Sequence, residues 1–182
     1  MRAGKGERRF EWEAVRAKLN EGWGDTYYQL SGKPMAFTKN KQTPVYSGPG
    51  EHYVRAAGGK ASVGTNGEIT VYGQESGFAL ISYDTNNGGV RFGYVPVSAL
   101  AQGQEVAYLD SMRAGGIILE PCDVVDDPVR GKSTLRTLSK EYVVIVVAVY
   151  GDWAYIDDCY SNKNNPCRGF VPLKLVHFTI AI

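Results

Sequence analysis

Three cysteines and two histidines are the residues of this chain best suited to covalent chemistry: Cys122, Cys159 and Cys167, with His52 and His177. A thiol becomes a nucleophile where a base or a helix N-terminus lowers its pKa. None of these cysteines opens a helix after a strand, and His52 lies in the loop Gly48-Pro-Gly-Glu-His52, in the other half of the chain from them. No catalytic set assembles from these parts, and the chain is expected to be non-catalytic. Cys159 and Cys167 bracket the polar, turn-rich stretch Tyr160-Ser-Asn-Lys-Asn-Asn-Pro166. Two readings stay open for that pair: a disulfide stapling a hairpin, worth roughly 2 to 3 kcal/mol through loop entropy, or two idle thiols. Cys122 is left over as a small core residue.

Acidic residues offer a second kind of chemistry. Asp123-Val-Val-Asp126-Asp127, and Asp157-Asp158 with Asn162 and Asn164, supply hard oxygen ligands of the sort calcium accepts, but neither has the spacing of a calcium loop. Asp126-Asp127-Pro128 reads more simply as a turn in which an aspartate caps its own backbone, so no metal or other cofactor is expected. Gly88-Gly89 lacks the helix and lysine that a phosphate cradle needs. Aromatic residues are the remaining candidates. Trp153 with Tyr150 and Tyr155, and Phe78 with Tyr72, Tyr46 and Tyr53, either line shallow grooves for a peptide or glycan or pack a sheet face.

The elements that position these residues follow from an internal repeat. Gly77-Phe78 and Asp152-Trp153 stand 75 positions apart, and Gly93-Tyr94-Val-Pro96 and Gly169-Phe170-Val-Pro172 stand 76 apart. Pro44-Val-Tyr46 has its counterpart in Pro121-Cys-Asp123. Short alternating stretches between Gly, Asn, Asp and Pro clusters predict strands at Ala61–Val63, Glu68–Tyr72, Phe78–Tyr83 and Val90–Val95 in the first copy. The second copy gives Ser133–Leu138, Tyr142–Val149, Trp153–Asp158 and Arg168–Val171. Gln104–Asp110 reads as a further strand, continued by Met112–Ile118. The leading 42 residues belong to neither copy: Glu7–Asn20 has apolar positions at helical spacing closed by Gly22, and Tyr27–Leu30 with Met35–Phe37 forms a candidate hairpin.

These pieces resemble bacterial SH3-type domains: Pro44-Val-Tyr46-Ser-Gly-Pro49 before the strands, the strand openings at Phe78 and Trp153, and the two closing Gly-aromatic-Val-Pro motifs. The resemblance spans about Thr43 to Val176 and implies a mainly β chain of two small SH3-like β-barrels, 43–103 and 104–182, after a helical segment and linker, 1–42. Such domains bind or position partners in the bacterial envelope or outside the cell, often beside papain-like cell-wall peptidases. The implied ligand is a cell-wall peptide or a protein, and the alternative is a spacer that binds nothing. The aromatic groove of the eukaryotic relatives needs a tyrosine shortly after the closing proline, and Val97-Ser-Ala-Leu100 and Leu173-Lys-Leu-Val176 contain none.

Composition limits the partners. With 43% hydrophobic and 21% charged residues the chain has the means to build a packed core. A net charge of +1, with no basic cluster, gives no footprint for nucleic acid. The longest apolar run, Tyr142 to Tyr150, has the length of a strand, so no membrane span is expected. The opening Met1-Arg-Ala-Gly-Lys-Gly-Glu-Arg-Arg9 lacks the apolar middle of a secretory signal, which leaves a cytosolic protein or a trimmed one.

Overall fold

The computed structural model describes residues 29–37, 42–64, 68–101 and 103–179, so the predicted helix at 7–20 lies outside the described residues. The chain is mainly β, in antiparallel sheets. A four-stranded sheet runs in the order β1 (Lys33–Ala36), β4 (Glu68–Glu75), β5 (Phe78–Asp84), β6 (Val90–Pro96), and β2 (Thr43–Pro44) pairs with β3 (Ser62–Val63). In β4, Ile69 and Val71 turn inward while Glu68, Thr70 and Tyr72 turn outward, the period of two that a pleated strand imposes. Ser76 and Gly77 join β4 to β5 with positive φ at both positions, the two-residue turn whose twist matches that of its flanking strands.

A seven-stranded sheet follows, in the order β13-β7-β10-β11-β12-β8-β9. Its members are β7 (Ala114–Ile118), β8 (Cys122–Asp127), β9 (Lys132–Leu138), β10 (Val143–Tyr150), β11 (Trp153–Asp157), β12 (Arg168–Pro172) and β13 (Val176–Thr179). None of the sheets closes on itself through its own ladder.

One pairing pattern occurs twice. Phe78 pairs with Pro96 and Ile81 with Gly93 in β5–β6; Trp153 pairs with Pro172 and Ile156 with Gly169 in β11–β12. The register slips by one residue between Val71 and Gly73 in β4, and between Val146 and Ala148 in β10. Each closing strand runs into a three-residue 3-10 helix, Val97–Ala99 or Leu173–Leu175. The glycine of each closing motif is required by close approach. A Cβ on Gly93 would stand 2.3 Å from Val45 Cγ1 and 3.0 Å from the Tyr46 carbonyl, and one on Gly169 would stand 2.6 Å from Val124 Cγ1 and 2.8 Å from the Val125 carbonyl. The place that Tyr46 takes beside Tyr94 is thus taken beside Phe170 by Val125, two places beyond the Asp123 that sequence spacing selects.

Three apolar clusters result. Met35, Phe37, Ile69, Ile81 and Val95 fill the first. Ile118, Val144, Ile156, Val171 and Phe178 fill the second. The third joins the two halves through Leu80, Phe92, Tyr94, Tyr155 and Phe170. β5, β6, β10, β11 and β12 are thus covered on both faces along most of their length, which explains their nearly continuous burial.

Several expectations change. β1 pairs with β4, and Gln29 makes a parallel bridge to Val149 in β10 instead of pairing with β1; residues 27 and 28 of the expected hairpin lie outside the described residues. Residues 104–110 form no strand; Gln74 receives and returns backbone hydrogen bonds with Ala107 and Leu109, a single parallel bridge. Asp123 to Asp127 belong to β8, where Val124 and Val125 are buried, and only Asp127 caps a turn, accepting from the Val129 and Arg130 N–H groups at 2.9 Å each. Among the described residues no helix is long and apolar enough to cross a membrane.

Candidate functional site

The halves meet along an aromatic seam with a polar cluster at each end. The ring of Phe92 lies 4.9 Å from Phe170, 5.3 Å from Tyr150 and 5.1 Å from Tyr72, and Tyr155 stacks 4.9 Å from Phe170. Aromatic rings at such separations contribute beyond their buried area, and here they fill the space between the two halves.

At the first end, a loop of the leading half reaches across. Val54 N–H donates to the Pro166 carbonyl, and the Tyr53 hydroxyl donates to Asp157 at 2.7 Å. Arg168, 6% exposed, donates to Asp157 at 2.6 Å, to Glu75 at 2.8 Å and to the Tyr94 hydroxyl at 2.8 Å, while Arg113 adds a second cation on Glu75. Burial alone raises a carboxyl pKa, but the Arg168 charge and hydrogen bonds outweigh it and hold both Glu75 and Asp157 below their usual values. Burial also raises Tyr53, keeping its hydroxyl protonated as a donor.

The other end is reciprocal, with a loop of the trailing half reaching back. Val90 N–H donates to Asp127, Arg130 to the Asn87 carbonyl, and Arg91 pairs with Asp126 at 3.0 Å. Asp126 is 2% exposed, and its Oδ1 has no hydrogen-bond partner. Desolvation dominates there and lifts its carboxyl to about 6 in spite of Arg91, with Asp127 adding to the rise.

Above this end lies an open groove formed from both halves. One cavity of about 390 Å³ is walled by Tyr72, Phe92 and Ser82 of the first sheet, by Tyr150 of the second and by Val129 in the turn between β8 and β9. A neighbouring cavity of about 370 Å³ reaches Gln42, Ser62 and Asn86. The two share Glu68, Ile69, Tyr83 and Asp84, so they meet at the open end of the β4–β5 hairpin.

The predicted aromatic residues divide accordingly. Tyr72 and Tyr150 come together in the groove on either side of Phe92, with the Tyr72 hydroxyl hydrogen-bonded to Ser82. Tyr53 and Tyr155 are buried side chains of the seam, and Tyr155, 1% exposed, offers a ligand no surface. Tyr46 and Phe78 meet edge to face at 6.3 Å, with the Arg55 guanidinium over the Tyr46 ring. Trp153 packs half-buried against the third cluster near Gly131. Tyr83, Val129, Glu68 and Asp84 escaped the sequence reading. The outward alternation Glu68-Thr70-Tyr72 was the available signal, but nothing in the sequence shows that Val129, far along the chain, closes the same groove.

The cysteines are free thiols. Asp157 pairs with Arg168, and the Asp158 N–H bonds to the Cys167 carbonyl, which places Cys167 across from Asp158 rather than from Cys159. Cys167 joins the core of the trailing half, whereas Cys159 lines a small cleft with Tyr53 and Glu75, and no disulfide joins the two in this structure. Burial pushes Cys122 and Cys159 up to about 11 and Cys167 to about 12, leaving none of them a reactive thiolate at neutral pH. The acidic groups considered for calcium are taken up by protein donors: Asp123 by Thr134 and Thr137, Asp158 by Arg136, Asn162 and the Cys167 N–H.

A scan against protein-family models and a search of curated proteins find no match to this chain. Among solved structures, NlpC2 and NlpC1 from Trichomonas vaginalis are similar to it at 12% identity and a TM-score of 0.33 each. The likeness covers 82% and 84% of this chain against 49% and 47% of theirs, so the chain spans about half the length of either. Likeness at this level says nothing about activity.

Proposed function

We propose that the chain is a non-catalytic binding module of two SH3-like barrel domains from the bacterial envelope or exterior, and that it takes a cell-wall peptide or a protein segment. The domain reading, 43–103 and 104–182 after a leading segment, draws support from the recurring register, the bulge and the 3-10 helix after each Gly-aromatic-Val-Pro strand. The binding reading rests on one observation: the groove between Tyr72 and Tyr150, open to solvent and walled by rings and hydroxyls, has the size and mixed lining of a ligand site. High thiol pKa values agree with the absence of a nucleophile from this role.

A spacer role has an observation of its own, since Phe92, Tyr155 and Phe170 serve to lock the halves together. Retention on purified bacterial cell walls separates the two. Val129 is exposed at the lip of the groove, so Val129→Arg is expected to abolish retention and leave the melting temperature unchanged. Wild-type retention no greater than that of an unrelated control protein overturns the binding reading and leaves the spacer.

A further inference from the structure

We propose that Asn87 is a site of spontaneous deamidation, in which the Gly88 backbone nitrogen attacks the Asn87 side-chain amide and alters the loop that ties the two halves together at the Arg91 end. The chain has two Asn-Gly pairs, of which Asn66-Gly67 falls outside the described residues. Asn87-Gly88 stands in the turn between β5 and β6 with both residues exposed. Gly88 has a φ of +78°, and a Cβ placed on it meets no atom within 4 Å, so nothing crowds its backbone on that side. The Asn87 Oδ1 accepts from the Thr85 hydroxyl at 2.6 Å and from the Gly89 N–H at 3.3 Å. Donors on that oxygen stabilise the negative charge it takes up when the carbonyl carbon is attacked. Against this stands one hydrogen bond, from the Gly88 N–H to the Thr85 carbonyl at 3.1 Å. A single backbone bond in an exposed turn opens at little cost, so it slows the attack without preventing it.

In the first step the Gly88 nitrogen bonds to the Asn87 Cγ, the Cγ–Nδ2 bond breaks, and ammonia leaves with the proton that the Gly88 nitrogen gives up. Water then opens the resulting five-membered imide at either carbonyl, its hydroxyl going to carbon and its remaining proton to nitrogen. Opening at Cγ leaves aspartate. Opening at the main-chain carbonyl leaves isoaspartate, with the backbone routed through the side chain and one methylene longer. The two products carry the new charge in different places. A Cβ on Gly89 would stand 2.8 Å from Asp127 Oδ2 and 3.3 Å from Asn87 Oδ1, so a carboxylate on the Asn87 side chain is repelled by that of Asp127. The Asn87 main-chain carbonyl accepts from the Arg130 guanidinium at 2.9 Å, and its carbon becomes the carboxylate of isoaspartate. Arg130 polarises that carbonyl for attack and pairs with the charge that follows, which favours isoaspartate. The lengthened backbone then shifts Val90, whose N–H donates to Asp127, and Arg91, which pairs with Asp126. Neither step needs a ligand in the groove.

The test incubates the full chain, folded, in mildly alkaline buffer and follows each asparagine by peptide mass spectrometry, with isoaspartate read by enzymatic methylation. Asn66→Gln is introduced so that one Asn-Gly pair remains. Conversion at Asn87 is expected to run several-fold faster than at Asn86, Asn162 or Asn164, none of which precedes glycine, with isoaspartate in excess. Conversion in urea without conversion in the folded chain overturns the site, because the turn then withholds the Gly88 nitrogen. No conversion in either overturns it as well. Arg130→Gln is expected to lower the proportion of isoaspartate, and an unchanged proportion overturns the steering by Arg130. The isoaspartyl form, separated from its parent by ion exchange, is expected to melt at a lower temperature; equal midpoints overturn the effect on the Arg91 end.

Discussion

Arg168 at one end of the seam has three protein partners, Asp157, Glu75 and Tyr94, and each carboxylate it touches has a second donor in Tyr53 or Arg113. At the other end Arg91 meets Asp126 through one short contact, and a carboxylate oxygen remains without a donor. The ingredients match, a guanidinium against buried acid between the same two halves, yet the acids are pulled down at one end and pushed up at the other. Removing a carboxylate from water is costly, and a single ion pair seldom offsets it; several donors on one group do. The Arg168 end therefore ties the halves together, and the Arg91 end sets their register at a cost.

The largest effect that sharpens this contrast is expected from Arg168→Leu. It strands Asp157 and Glu75 without their main cation and is expected to cost about 3 to 5 kcal/mol in denaturant unfolding. Arg91→Leu is expected to cost less, about 1 to 2 kcal/mol, because Asp126 can take up a proton near neutral pH in place of its partner. Equal costs would erase the distinction between the ends.

A pH series reads the same contrast with opposite signs. The raised carboxyl of Asp126 stays protonated in the folded chain while the unfolded chain has already lost its proton. Its contribution to stability is thus full below about pH 4 and declines as pH rises to about 6, by at most roughly 3 kcal/mol. Glu75 and Asp157 are lowered, so their contribution is present above the ordinary carboxylate range and is lost as pH falls through it. Asp126→Asn should flatten the decline between pH 4 and 6 and leave the acid limb unchanged, measured by thermal melts across that range. The smallest effect concerns the thiols beside the Arg168 end: a reducing agent is expected to leave the melting temperature where it is, and a rise in midpoint on oxidation would restore the Cys159–Cys167 staple.

The strands of the two meanders were readable because alternation, turn glycines and the Gly-aromatic-Val-Pro closures all act locally. β8 was not, since Asp123-Val-Val-Asp126-Asp127 carries turn-formers at two positions that end up buried, where Arg91 from the other half pairs with Asp126 and backbone N–H groups of Val90, Val129 and Arg130 meet Asp127. Aromatic candidates were found as residues but not sorted. Tyr155 and Tyr150 differ by five positions, and Tyr150 faces a groove because Phe92 and Tyr72 of the other half, 58 and 78 residues before it, stand there, pairings of the long-range kind that local pattern does not encode. The glycines at 93 and 169 were recognised for their place in the motif, yet the valine methyl and carbonyl pressing on each were not foreseeable from the strand alone.

The bridge from Gln29 to Val149, fixed by the Leu30 N–H on the Val149 carbonyl, bears on how the chain is made. During synthesis the segment around Gln29 leaves the ribosome with its backbone groups exposed, and its partner strand emerges only about 120 residues later, a delay of roughly 6 to 25 seconds at ordinary elongation rates. The leading segment is therefore the first part of this region to be translated and among the last to be secured.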